Sequence, residues 1–61
     1  MAYYKAEYVV RTKEGRERFA GFTGASAIEW DANIIKVHTK DGILVIPIHN
    51  IVGEILIERV E

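Results

Sequence analysis

Two side chains in this sequence suit the reading of a nucleotide, Asn33 and His49. An amide such as Asn33 offers a donor and an acceptor to a base edge, and an imidazole stacks on a base or donates to a phosphate. The plainer reading makes Asn33 a turn residue that tolerates left-handed backbone and His49 a solvent-facing turn side chain. Arg11, Lys13, Arg16 and Arg18 gather near one turn, where they could touch backbone phosphate. Glu14 and Glu17 are interleaved among them, so the local positive excess is small. A solvated hairpin tip with cross-strand ion pairs accounts for the same residues.

Other chemistry has little to work with. His38, His49, Glu29 and Asp31 are the residues that could form an oxygen and nitrogen metal site, but the histidines do not have the spacing of ligands on one helix or hairpin. Cysteine is absent and Ser26 is the only serine, with no base and orienting acid placed around it. The expectation is a protein that is not an enzyme and carries no cofactor or metal.

Hydrophobic residues make up 49% of the 61 and charged residues 28%, the profile of a chain that folds. Eight basic against nine acidic residues give a net charge of −1, which argues against a coat that binds nucleic acid by bulk electrostatics. A few cations concentrated in one groove or ring remain compatible with that balance. The longest apolar run, Ile43 to Ile48, is far too short to span a bilayer, and the first residues do not read as a signal peptide. The expected compartment is the cytoplasm. A chain of this size should expose roughly 4,000 Å² when folded and bury roughly 6,000 Å². If about 60% of that is apolar, its burial is worth roughly 90 kcal/mol, and ordering the chain costs about the same. No disulfide can make up the difference, so association with further copies is the readiest source of stability.

One domain covers residues 1–61, and its period is two nearly throughout. Tyr4, Ala6, Tyr8 and Val10 alternate with Lys5, Glu7 and Arg11, which predicts a half-buried first strand. Lys13-Glu14-Gly15 makes a turn with Gly15 in the left-handed position. A second strand starts near Phe19 and runs, bent at Gly21 or Gly24, to Trp30, with either Phe19 or Phe22 facing inward. After the turn Asp31-Ala32-Asn33 comes a third strand, Ile34 to Thr39. Asp41-Gly42 predicts a type I′ hairpin into an apolar fourth strand, with Pro47 at a strand end or sheet edge. Residues 48–50 form one helical turn, and Val52 to Val60 the fifth strand. The fold class expected is all-β, a five-stranded antiparallel SH3-like barrel with a short helical turn between strands four and five.

This arrangement resembles the Sm-like family of bent five-stranded barrels. Thr12 to Gly15, Gly21 and the Asp31-Ala32-Asn33 turn stand in the places of its first signature. Gly42, the apolar strand after it, His49-Asn50 and Ile51 to Ile57 follow its second. The resemblance implies assembly into rings and an RNA pocket built from Asp31, Asn33, His49 and Asn50, assisted by Arg16 and Arg18. Three features depart from the family. Its N-terminal helix is absent, Ala32 replaces the side chain that stacks on a base, and Ile48-His49 replaces Arg-Gly in the last turn.

The assembly signal is stronger than the nucleotide signal. A barrel this small has one interior, so Ile43, Val45, Val52 and Leu56 should face outward and form an oligomer interface along strands four and five. Two functions follow as expectations. One is a homo-oligomeric Sm-like module that binds RNA; the other is a structural or protein–protein interaction module without a nucleic-acid ligand. Neither involves a membrane or a small-molecule substrate.

Overall fold

The computed structural model describes residues 2–60 and shows an all-β protein. Six strands are present: β1 (Tyr4–Arg11), β2 (Glu17–Ala25), β3 (Ala27–Trp30), β4 (Ile34–Thr39), β5 (Gly42–Pro47) and β6 (Ile51–Arg59). A 3-10 turn, Ile48–Asn50, joins β5 to β6. The strands pair antiparallel in two sheets, ordered β2-β1-β6 and β3-β4-β5. The expected five-stranded closed barrel is therefore replaced by two three-stranded sheets that leave β5 and β6 each with one unpaired edge.

The extra strand arises from the bend in the second. Opposite Tyr4 and Ala6 of β1 stand Ala25 and Phe22, so β2 carries one residue more than its partner there. Gly24 takes φ +67 at this bulge, a conformation that only glycine adopts at little cost. Past Ser26 the chain has turned far enough to pair with β4 instead of β1. A second bulge, not expected from the sequence, puts two extra residues in β6 between the partners of Glu7 and Val9, where Gly53 has φ +78.

Alternation decides what is buried. Ala6 and Tyr8 of β1, Phe22 and Ala25 of β2, Ile35 and Val37 of β4 and Ile46 of β5 meet between the sheets. Tyr4 and Val10 pack against them half-buried, as the first-strand pattern requires. Of the two phenylalanines, Phe22 is inside and Phe19 is 86% exposed. The turn at residues 40–42 also differs from expectation. Its only positive φ is +143 at Gly42, so it is not type I′. Instead the Thr39 hydroxyl accepts the Asp41 N–H (3.2 Å) and donates to the Gly42 carbonyl (3.2 Å). The folded chain exposes 4761 Å², roughly 760 Å² above the scaling for a monomer of this size.

Candidate functional site

The turn between β3 and β4 is closed from within. The Asp31 N–H donates to the Ile34 carbonyl (3.0 Å), and Asp31 Oδ1 accepts the Ala32 N–H (2.7 Å). The Asn33 carbonyl accepts the Ile48 N–H at 2.9 Å, which docks the 3-10 turn on the β3–β4 turn. Asn33 and His49 are both exposed and lie on turns that this bond holds side by side. Asn33 and His49 side chains make no hydrogen bond to another described residue. Beside Asp31, Trp30 is 57% exposed and shares a shallow hollow with Glu29 and Lys36.

The basic residues sit elsewhere. In the β1–β2 turn the Thr12 N–H donates to the Arg16 carbonyl (2.7 Å), and the Arg16 N–H to Thr12 Oγ1 (3.3 Å). Arg11 pairs with Glu17 at 3.4 Å, the cross-strand ion pair that interleaved charges favour. Arg16 is exposed near the hairpin tip, whereas Arg18 points into a groove between this hairpin and β5. Asn50 lines the same groove. The six residues expected to bind nucleic acid thus fall in three places: Asp31, Asn33 and His49 on the docked turns, Arg18 and Asn50 in the groove, and Arg16 at the tip.

Sequence reasoning did not pick out Tyr8 as a groove residue, although its parity with Arg18 across the β1–β2 pair was available as a signal. Its ring is buried, and that burial pushes the phenol above its ordinary pKa, while the positive charge of Arg18 pulls it back. On the outer face of the other sheet, His38 Nε2 and Glu29 Oε2 are 3.0 Å apart, diagonal across β3 and β4. This hydrogen bond, then the His38 charge, holds the Glu29 carboxyl below its usual pKa. Among the described residues, no three His, Asp or Glu side chains converge where a metal ion would sit, and no helix is long and apolar enough to cross a membrane.

The expected interface residues lie on two of the four edge strands, β5 and β6. Ile43 and Val45 of β5 are 59% and 52% exposed, and Leu56 of β6 is 64% exposed. Val52 is half-buried, because it faces Val9 across the β1–β6 ladder. No family model, curated protein or solved structure matches the chain.

Proposed function

We propose that the chain is a non-enzymatic interaction module that assembles with copies of itself through the free edges of β5 and β6. The observation that carries this reading is the coincidence of unpaired backbone and exposed apolar side chains on those two strands. An open edge bearing Ile43, Val45 and Leu56 invites another strand. The contact is heterologous, so it closes a ring or extends a filament according to the rotation between copies. Counted as one bent strand across Ser26, β2 and β3 bring the segments to five, the number the resemblance to Sm-like proteins asks for.

Absolute mass in solution across a range of concentration tests the reading. The expected result is a species of several copies that Val45→Lys dissociates while the fold persists. A monomer up to millimolar concentration overturns it.

RNA binding is the second reading, and the Ile48–Asn33 bond favours it, because that bond sets Asn33 beside the turn carrying His49 and Asn50. Short U-rich or A-rich RNA would then bind in low salt, weaken as salt rises, and weaken again in Asn33→Ala or His49→Ala. Absence of binding in low salt sinks this reading and leaves the first intact.

A further inference from the structure

A groove of about 460 Å³ runs along β5, with residues 44–47 on one side and the β1–β2 hairpin on the other. Its wall is apolar at Val10 and Leu44, and its charged lining is Arg11, Lys13 and Arg18 with one carboxylate, Glu14, so a positive excess remains. Leu44 keeps 43% of its surface exposed although it alternates with buried Ile46, so the described residues leave this end of the sandwich partly uncovered. Two features mark the groove as unfinished. Tyr8 is only 7% exposed, and its hydroxyl, which bonds to no other described residue, opens to solvent in the groove. Arg18 stands opposite Val10, on the inward-facing parity of β2, and no described carboxylate reaches ion-pair distance of it. A phenol and a guanidinium facing one space make a donor pair for a carboxylate.

The same chain carries a segment with the complementary pattern. Glu54, Leu56 and Glu58 alternate along β6, so their side chains share one side of the strand, while Ile55 and Ile57 turn toward the core. Leu56 is exposed, and neither glutamate has an ion pair among the described residues. Lys5 stands opposite Glu58 in the ladder without coming within that distance.

We propose that the groove receives β6 of a second copy. The incoming strand extends the β3-β4-β5 sheet at its free edge, Leu56 seats against Leu44 and Val10, and a flanking carboxylate of Glu54 or Glu58 accepts hydrogen bonds from the Arg18 guanidinium and the Tyr8 hydroxyl. This inference rests on the self-assembly reading and adds to it the residues that select β6 as the occupant. Strand addition supplies affinity through the backbone, and the acid–apolar–acid pattern supplies register and direction.

Charge exchange between copies tests it. One variant carries Arg18→Glu, which removes the groove's positive excess and sets a carboxylate against an acidic β6. The other carries Glu54→Lys and Glu58→Lys, giving a basic groove and a basic β6. All three positions are exposed, so each variant should keep the wild-type circular dichroism. Each alone is expected to assemble at least about tenfold more weakly than wild type. Mixed in equal amounts, they should recover the wild-type mass range as an alternating assembly. Tyr8→Phe should weaken assembly several-fold without unfolding the chain. If Arg18→Glu assembles like wild type, or the mixture gains nothing, while Val45→Lys still dissociates the protein, the groove assignment is overturned and the β5–β6 reading stands. A wild-type protein that is monomeric throughout overturns both. Capture of an acidic peptide from another protein, in preference to β6 of a second copy, also overturns the assignment.

Discussion

The Ile48 N–H donates to the Asn33 carbonyl at 2.9 Å, joining two turns that are adjacent in space but belong to different sheet connections. The geometry is prepared locally. Pro47 precedes the donor with φ −68 and ψ 123, extended backbone that carries the β4–β5 register one step past the Ile34–Pro47 pair and so sets Ile48 opposite Asn33. Because Asn33 takes part through its backbone, its side chain remains available to solvent or a ligand.

A prediction about stability follows directly. Ile48→Pro removes the donor at the first position of the 3-10 turn, where a proline ring is sterically tolerated, and Ile48→Ala keeps the donor while shortening the side chain. The difference between the two in denaturant unfolding should be about 1 kcal/mol. Asn33→Ala should cost less than about 0.5 kcal/mol. An Asn33→Ala cost matching that difference would mean that the side chain, not the carbonyl, holds the turns together.

The core is small enough for one residue to decide folding. Ile35 and Val37 are the largest side chains that are fully buried, and both come from β4, the central strand of its sheet. Ile35→Ala should cost 2–5 kcal/mol, a large share of the stability of a domain this size. Circular dichroism melting should find this variant largely unfolded at room temperature. A variant that melts within a few degrees of wild type would show that the two sheets are held mainly by something other than this strand.

What the sequence made legible was alternation, and what it hid was pairing. Tyr4 to Val10, and the outward placement of Ile43, Val45 and Leu56, follow from a period of two that each strand carries within itself. Phe19 and Phe22 are three apart, so period two could put only one inside; the parity of Ala20 with Phe22 settles which. The break at Ser26 and the bulge at Gly53 depend on which strands lie alongside, and a chain read alone does not show that. Arg18 illustrates the same limit at the candidate site. Its parity with Ala20 and Phe22 aims it inward, but only the position of β5 turns that direction into a groove. The type I′ expectation failed for a local reason, since Thr39 offers its hydroxyl to both neighbours of the turn and stabilises a different backbone.

Gly21 is a close approach and not a hinge. A Cβ built there would lie 2.5 Å from the Ala6 carbonyl oxygen of β1, backbone that cannot swing aside. Gly15, by contrast, has open space around it and only its φ of +80 to constrain it. Gly15→Ala should therefore cost about 1–2 kcal/mol from backbone strain, whereas Gly21→Ala must also push β1 and β2 apart and should cost more. Equal losses of stability in urea for the two variants would show that the β1–β2 pair yields more readily than the 2.5 Å approach implies.

Acid should act through Glu29. The hydrogen bond from His38 and then its charge lower the Glu29 pKa from 4.5, outweighing the small opposing effect of desolvation, and Lys36 adds a lesser pull in the same direction. A carboxyl whose folded pKa lies below its unfolded value binds protons more weakly when folded. Its contribution to stability is therefore present above the unfolded pKa of 4.5 and disappears as pH falls through the lower folded value. The site is solvent-facing and the effect is screened by salt. Melting temperatures of wild type and Glu29→Gln, taken from neutral pH to pH 3 in low salt, should converge as the solution passes below 4.5. Curves that stay parallel across that range would mean that the Glu29–His38 contact, short as it is, contributes nothing that titrates.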